Sequence, residues 1–79
     1  MTKLYQPHYH NGETWEDAND WTSKTVYLTE KDAVAEILSN GLADLGETLV
    51  FSNRKIYTVD NTGKEYGQED YRYAYVTPL

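Results

Sequence analysis

The apolar side chains between residues 29 and 41 recur at helical spacing and form one face of a predicted helix. They are Ala33, Val34, Ile37 and Leu38. Thr29, followed three residues later by Asp32, resembles a capping box at the helix start. Gly41 favours a stop, because glycine readily adopts the left-handed conformation that ends many helices. An alternative is a helix that continues and stops at Gly46, at a cost of about 1 kcal/mol for the interior glycine.

Residues 49 to 59 predict a β-hairpin after this helix, and the two elements together hold most of the aliphatic side chains able to form a core. A two-residue loop at Asn53 and Arg54 sets the register. The expected pairs across the strands are Phe51 with Ile56 and Leu49 with Thr58. Both faces of the hairpin then carry apolar groups, so we expect its strands to be central in a sheet or to meet something outside the domain.

Four further stretches are predicted to be extended. Residues 4 to 10 contain Pro7, which is better tolerated at a sheet edge. Residues 23 to 28 are rich in β-branched and aromatic side chains and lead into the helix. Residues 64 to 67 follow a turn and return as a strand of a meander. Residues 71 to 76 alternate strictly, with three tyrosines on one face.

These elements predict an α+β fold: a small, mainly antiparallel sheet of three to five strands with one helix packed across it. The 79 residues are expected to form a single domain, residues 1 to 79. A chain of this length buries little more than about 60% of its unfolded surface. It therefore has little room for a deep, enclosed active site, and we expect no enzymatic activity.

Charge narrows the range of partners. Thirteen acidic residues against seven basic ones give a net charge of −6, which opposes binding to nucleic-acid phosphates and favours a partner with a basic surface. Four carboxylates and no basic residue lie between Asn11 and Asp20, so this stretch carries −4 of the net charge. The acidic residues are Glu13, Glu16, Asp17 and Asp20, with Trp15 among them and Trp21 directly after. An acidic surface that serves only solubility is the alternative interpretation.

Cysteine is absent, which excludes disulfides and thiolate metal sites. No apolar run approaches the roughly 20 residues that span a bilayer, and the N-terminal residues lack the apolar core of a signal peptide. We therefore expect a cytoplasmic protein with no membrane partner and no cofactor.

His8 and His10 are a pair of side chains with metal-ligand character. On a strand they point to the same face, roughly 6 to 7 Å apart, a separation at which two imidazoles can share a metal. The sequence has no third histidine, no helical H-E-x-x-H pattern and no thiolate. We therefore predict two surface histidines near an acidic loop and no metal site. Nucleophile and phosphate-binding motifs are lacking as well.

Aromatic residues are numerous: eight tyrosines, two tryptophans and one phenylalanine. Tyrosine and tryptophan are over-represented at binding hot spots. One alternative is that the tyrosines near the C-terminus simply cover a sheet face, and another is that aromatics beside Asp, Asn and Glu bind sugars. The predicted partner-binding residues are Glu13, Trp15, Glu16, Asp17, Asp20, Trp21, Tyr71, Tyr73 and Tyr75.

Carboxylates spaced along one element can imitate a row of phosphates and occupy a basic nucleic-acid-binding channel. The predicted function is therefore non-catalytic protein binding: a small inhibitor whose acidic, aromatic surface blocks a basic, nucleic-acid-binding site on a larger protein. The alternative is a structural or assembly protein that self-associates, for example as a homodimer, or docks through its tyrosine-rich sheet face.

In general character, as a very short, cysteine-free, acidic and tyrosine-rich single domain, the chain resembles the small inhibitors encoded by phages and other mobile elements, anti-CRISPR proteins among them. The resemblance rests on composition and carries over no functional residue. It implies a phage protein that acts as an inhibitor in the host cytoplasm.

Overall fold

A computed structural model describes residues 3–49 and 52–79 of the chain. These residues form a five-stranded antiparallel sheet with one α-helix across it, which confirms the predicted α+β fold. The elements are β1 (Tyr5–His10), β2 (Asp20–Thr22), α1 (Glu30–Ser39), β3 (Ala43–Thr48), β4 (Lys55–Thr58) and β5 (Tyr73–Pro78), with a 3₁₀ turn at Trp15–Asp17. The strands lie side by side in the order β2, β1, β5, β4, β3. Within the described residues, no helix has the length and apolar character needed to cross a membrane.

Helix α1 begins and ends where the sequence predicts. Thr29 Oγ1 accepts a hydrogen bond from Asp32 N at 3.1 Å, and so satisfies one of the N–H groups that a helix start leaves free. Gly41 follows the helix with a φ of +88°, the left-handed conformation expected after a C-terminal cap. The alternative of a helix continuing to Gly46 is wrong, because residues 43–48 form β3.

The core lies between α1 and the centre of the sheet. Its buried side chains are Tyr9, Ala33, Ile37, Leu42, Tyr57, Ala74 and Val76. Ala33 and Ile37 come from the predicted apolar face of the helix, while Leu38, from the same predicted face, is 46% exposed. The burial of Tyr9 and Tyr57 means that part of the tyrosine content serves the core.

The hairpin of β3 and β4 is present, but its predicted register is wrong. Thr58 pairs with Ala43 rather than with Leu49. Leu49 N instead donates to Arg54 O at 3.0 Å, close to the turn. The first strand of the hairpin therefore lies earlier in the chain than the prediction places it.

A bulge in β3 explains the shift. Ile56 pairs with Glu47, and Phe51, its predicted partner, lies outside the described residues. The register slips ahead of Glu47, where Gly46 has a φ of +77° and Asp44 Oδ1 accepts a hydrogen bond from Gly46 N at 3.1 Å. Such a bulge admits a glycine and polar residues into a strand, so this stretch lacks the alternation from which a strand is predicted.

Two other predicted strands are wrong. Residues 23–28 are irregular, with an isolated bridge between Tyr27 and Tyr5. The strand beside β1 is instead β2, which lies just before them. Residues 64–67 lie in a loop of turns, and β4 pairs directly with β5. A three-residue strand such as β2, paired with a distant partner, offers little local signal from which to predict it.

Pro7 is buried inside β1, a strand flanked by β2 and β5, although proline is expected at a sheet edge. Ser23 N donates to Pro7 O at 2.9 Å. The Ser23 carbonyl, which a residue with an N–H would bond in return, accepts a hydrogen bond from Gln6 Nε2 at 2.9 Å. The glutamine amide therefore supplies the donor that proline lacks.

Candidate functional site

A loop over residues 11–19, called the acidic loop below, is closed by one side chain. Asn11 N donates to Asn19 O at 3.1 Å, which joins the two ends of the loop. Asn11 Oδ1 accepts hydrogen bonds from Glu13 N and from Asn19 N, both at 3.1 Å. Asn11 Nδ2 donates to Asp17 O at 2.7 Å. The asparagine thus orders the acidic loop from both ends, a role for which its short amide side chain is suited.

Trp15 begins the 3₁₀ turn of the acidic loop, and 93% of its surface is exposed. Its φ of +61° lies in the left-handed region, which costs a residue with a Cβ about 1 to 2 kcal/mol. An exposed ring in an unfavourable backbone conformation adds nothing to the core. Backbone strain of this kind clusters at functional positions, and the Trp15 ring is available to a partner.

The base of the acidic loop lies against the segment before β5. Gly12 has a φ of +76°, and a Cβ at this position would lie 2.1 Å from Tyr71 O. The N–H of Gly12 donates to His10 Nδ1 at 2.8 Å. The close approach to Tyr71, a predicted binding residue that is 59% exposed, places it beside the acidic loop.

The structure separates the predicted binding residues into three surfaces. Those in or beside the acidic loop are Glu13, Trp15, Glu16, Asp17 and Tyr71. Asp20 and Trp21 are neighbours in β2 and therefore point to opposite faces of the sheet. Trp21 stacks on Tyr9 on the helix side, with ring centroids 5.8 Å apart. Tyr73 and Tyr75 share the other face with Asp20.

The face of the sheet away from α1, called the open face below, carries a two-by-two array of rings. His8 stacks on Tyr75 with centroids 4.8 Å apart, and His10 stacks on Tyr73 at 4.9 Å. Tyr73 and Tyr75 are 6.4 Å apart. Stacked rings at these separations attract each other beyond the effect of burial alone. The two histidines share a face, as predicted, and each of them is stacked on a tyrosine.

Four side chains on the open face contact one another in succession, called the transverse row below: Asp20, His8, Tyr75 and Arg54. Asp20 Oδ2 lies 3.1 Å from His8 Nε2. At the other end, the Arg54 guanidinium lies 5.2 Å from the Tyr75 ring centroid, within cation–π range. The row therefore has a negative and a positive end. Among the residues that the structure describes, no group of three or more His, Cys, Asp or Glu side chains is placed to hold a metal ion.

His8, His10, Arg54 and Asn11 belong to these surfaces but not to the predicted partner-binding residues, and the two histidines were considered only as metal ligands. Arg54 was assigned to the hairpin turn, and its position over Tyr75 depends on how β4 and β5 pair, which no local pattern reveals. Asn11 lies in a turn that the sequence predicts, but the hydrogen bonds of its side chain were not predicted. An asparagine followed by Gly12 is a turn signal, and its side chain is able to bond backbone groups on both sides of the turn.

A cleft of about 220 Å³ lies between the sheet and the residues that follow α1. Its lining residues include Tyr9, Trp21, Asn40 and Arg72. This volume is below the range of about 300 to 1,000 Å³ that is usual for small-molecule sites. Arg72 is engaged with Asp70: its backbone N–H and its guanidinium both bond that carboxylate and hold the pKa of Asp70 below its usual value. The cleft is therefore a weaker candidate than the acidic loop.

A carboxylate on α1 collects hydroxyl donors from the sheet side. Glu36 Oε2 accepts a hydrogen bond from Tyr9 OH at 2.5 Å. Glu36 Oε1 accepts from Ser23 Oγ at 2.6 Å and from Tyr27 OH at 2.7 Å. Asn40 Nδ2 donates to the Tyr9 hydroxyl at 2.9 Å. This hydroxyl cluster ties the helix to β1 and to the segment after β2.

The hydroxyl cluster keeps its protons in place at neutral pH. Burial disfavours the ionised form of Glu36, but the three hydroxyl hydrogen bonds outweigh burial and lower the pKa of the carboxyl. Burial and the bond to Glu36 raise the pKa of Tyr9. For Tyr27, the bond to Glu36 and then burial raise the pKa. Because the carboxylate stays ionised and the tyrosines stay protonated, the cluster acts as a structural clamp rather than as an acid–base pair.

No protein-family model, no curated protein and no solved structure matches this chain. Its surfaces are therefore the basis on which a function is proposed. Charge and exposure single out the acidic loop, and ring stacking singles out the open face.

Proposed function

We propose that this protein is a non-catalytic inhibitor that binds a larger protein through the acidic loop and covers a basic, nucleic-acid-binding site. The observation that carries the proposal is Trp15, which is 93% exposed and held at a φ of +61°. Backbone strain lowers stability, and it is found mainly at positions where the conformation has a functional use. Burial of the ring in a partner supplies that use, since tryptophan is among the residues that contribute most at interface centres.

The carboxylates of the acidic loop supply the charge that such a site attracts. Glu13, Glu16 and Asp17 are all exposed, and no basic residue lies in the loop. A groove built to hold phosphates attracts these side chains, and the association slows as salt rises. Tyr71 lies against the base of the loop and extends the same surface.

Inhibition of this kind works by competition, since the loop and the nucleic acid occupy the same basic site. It needs neither a cofactor nor a catalytic residue. This mode of action suits the phage and mobile-element inhibitors, anti-CRISPR proteins among them, that the composition resembles, and the protein would act in the host cytoplasm.

The test begins with capture from a lysate of the organism that encodes the chain, with washes at low and high salt and mass spectrometry of the retained proteins. The loop variants are Trp15→Ala and the triple variant Glu13→Gln, Glu16→Gln, Asp17→Asn. The matched control removes the same number of exposed carboxylates elsewhere, as Glu30→Gln, Glu47→Gln, Glu65→Gln. We expect the wild-type chain and the control to retain a nucleic-acid-binding protein that both loop variants lose.

The retained protein is then purified and loaded with labelled nucleic acid. We expect the wild-type chain to displace the label, with a potency that declines as salt rises. Equal retention by the loop variants and the control, or binding that leaves the label in place, would overturn the proposal.

A further inference from the structure

A groove, called the β4 groove below, lies on the open face between β3 and the loop that joins β4 to β5. Its volume is about 490 Å³, within the range of about 300 to 1,000 Å³ that is usual for small-molecule sites. Thr58 pairs with Tyr73, so it shares the open face with this tyrosine and with Ile56, two residues before it. The lining residues used below are Leu45, Glu47, Ile56, Thr58, Asp60 and Tyr73.

The carboxylates of the β4 groove are available to a cation. Glu47 and Asp60 are exposed, and in the part of the chain that the structure describes neither lies within salt-bridge distance of a basic side chain. Hydrogen bonds from the side chain and the backbone of Thr62 lower the pKa of Asp60. Arg72, a basic residue of the groove lining, is bonded to Asp70. The β4 groove therefore attracts positive charge.

The transverse row shows how a tyrosine of the open face contacts a guanidinium. His8 of β1 stacks on the Tyr75 ring with centroids 4.8 Å apart. Arg54, which directly precedes β4, places its guanidinium 5.2 Å from the centroid of the same ring. This tyrosine of β5 therefore has a histidine on its β1 side and a cation supplied from its β4 side.

Tyr73 repeats this arrangement without the cation. His10 of β1 stacks on it with centroids 4.9 Å apart. Tyr73 lies two residues from Tyr75 on β5, and Ile56 lies two residues from Arg54 on the antiparallel chain beside it, so Ile56 holds the position that corresponds to Arg54. Ile56 carries no charge, and the β4 groove lies beside Tyr73 here. A guanidinium bound in the groove would meet the Tyr73 ring from the β4 side.

We propose that the β4 groove is a binding site for a small alkylguanidinium, a free molecule whose guanidinium group is carried on a short hydrocarbon chain. The planar cation packs against Tyr73 and pairs with a carboxylate of the groove, because guanidinium stacks on aromatic faces and presents donors in a fork that matches a carboxylate. The hydrocarbon chain lies on Leu45 and Ile56, as the stem of a long basic side chain does on apolar surface. This inference does not depend on the proposed function.

Amide NMR spectra of the full chain, titrated with butylguanidinium, test the site. We expect the signals of Ile56, Thr58 and Tyr73 to shift, with a dissociation constant in the millimolar range. Butylurea has the same shape without the charge and should bind at least about tenfold more weakly. Butylammonium has the charge without the plane and should bind about threefold more weakly.

Variants assign the contacts. Glu47→Gln with Asp60→Asn removes both carboxylates and should weaken butylguanidinium binding about tenfold, while asparagine at position 60 still accepts the bond from Thr62 N. Tyr73→Leu removes the ring and should weaken binding about threefold. The matched control is Glu30→Gln with Glu65→Gln, two exposed carboxylates outside the groove, and it should leave the dissociation constant unchanged. Far-UV circular dichroism confirms that each variant is folded.

Three results would overturn the proposal. The first is a titration in which butylguanidinium leaves the groove signals in place. The second is equal binding of butylurea, or stronger binding of a neutral sugar such as methyl glucoside. The third is a carboxylate variant that binds butylguanidinium as tightly as the control does.

The β4 groove and the acidic loop are tested separately. Tyr71 borders both surfaces and stays unchanged in every variant. The groove variant should retain the protein that the acidic loop captures, and the triple variant of the acidic loop should bind butylguanidinium within about twofold of the wild-type chain. A groove variant that loses the captured protein would overturn the free ligand and assign the guanidinium to an arginine side chain of that protein.

Discussion

The hydroxyl of Tyr9 on strand β1 donates a hydrogen bond of 2.5 Å to Glu36 Oε2 on helix α1. The same carboxylate accepts bonds from Ser23 and Tyr27. Helix α1 therefore contacts the sheet through apolar packing of Ile37 and through this hydroxyl cluster. The cluster joins the helix to β1, whose other side forms the open face.

Replacement of Glu36 should destabilise the fold. Glu36→Ala removes the acceptor of three hydroxyl groups, and we expect the free energy of unfolding to drop by about 1 to 3 kcal/mol. Glu36→Gln keeps one carbonyl oxygen as an acceptor and should cost less. Urea unfolding followed by circular dichroism measures both. Glu30→Gln, on the exposed first turn of the same helix, is the control, and a Glu36→Ala variant as stable as this control would contradict the role of the cluster.

Stability should fall at acid pH, with Glu36 as one cause. Hydrogen bonds lower the pKa of its carboxyl on folding, so its contribution is complete above the pKa of the unfolded chain, about 4.3, and is lost as pH falls through the folded value. Glu36→Gln should flatten the acid limb of a plot of unfolding free energy against pH. Other carboxylates with a lowered pKa keep part of the slope in the variant; they are Asp44, Asp60 and Asp70.

The unfolding free energy should also fall at alkaline pH, because there a pKa is raised on folding rather than lowered. Burial and the bond to Glu36 raise the pKa of Tyr9 on folding, so its contribution is complete below the ordinary tyrosine pKa of about 10 and is lost as pH rises above it. Tyr9→Phe should therefore reduce the slope above about pH 10. An unchanged slope in both variants would show that the hydroxyl cluster does not govern the pH dependence.

Gly12 should be the glycine that tolerates substitution least. Gly12 and Gly63 have similar positive φ values, +76° and +83°, but a Cβ at Gly12 would lie 2.1 Å from Tyr71 O whereas Gly63 faces open space. Both alanine variants carry the conformational cost, and Gly12→Ala adds a backbone clash. In urea unfolding, we expect Gly12→Ala to be less stable than Gly63→Ala by about 1 to 3 kcal/mol. Equal losses would mean that the acidic loop does not lie against Tyr71.

The sequence predicts those elements whose signals are local. The Thr29 cap and the stop at Gly41 bound the helix within a few residues, and strict alternation marks β5. The sequence does not predict strand β3, because its bulge places Gly46 and a polar neighbour where alternation is expected. The sequence does not predict strand β2 either, because its three residues are extended only through their pairing with β1. The pairing of strands that are distant in the sequence depends on the whole sheet. A pattern within one short stretch of sequence therefore does not predict it.

The same limit applies to the candidate site. The clustering of carboxylates around Trp15 is visible in the sequence, and so is the tyrosine face of β5. Asp20 and Trp21 lie on opposite faces because they are neighbours in β2, and the pairing of Trp21 with Tyr9 decides which face each one takes. The position of Arg54 over the rings follows from the register of β4. Charge and composition predicted what the surfaces contain, while strand register decides which side chains share a surface.

Asn11 should control the order of the acidic loop. Asn11→Ala removes the acceptor of Glu13 N and Asn19 N, and we expect their amide hydrogen exchange to accelerate about tenfold, the equivalent of about 1.4 kcal/mol. The control is Asn61→Ala, which removes a comparable pair of bonds to Asp70 in another loop and should leave the acidic loop unchanged. Similar exchange in both variants would show that backbone contacts alone order the loop.

We expect the strained backbone at Trp15 to lower the stability of the free protein. Glycine adopts a φ of +61° without a steric penalty, whereas alanine retains the strain. We therefore expect Trp15→Gly to be more stable than Trp15→Ala by about 1 kcal/mol, after allowance for the greater freedom of glycine in the unfolded chain. Urea unfolding measures the difference, and capture of the partner is measured in parallel.

Both Trp15 variants should lose the partner, because both remove the ring that it would bury. A glycine variant that is at least as stable as the wild-type chain but does not bind would mean that the strained conformation serves binding alone. A glycine variant less stable than the alanine variant would contradict this, since it would mean that the left-handed conformation at Trp15 carries no strain. The Trp15→Gly variant thus separates the backbone strain at this position from the binding energy of the tryptophan ring.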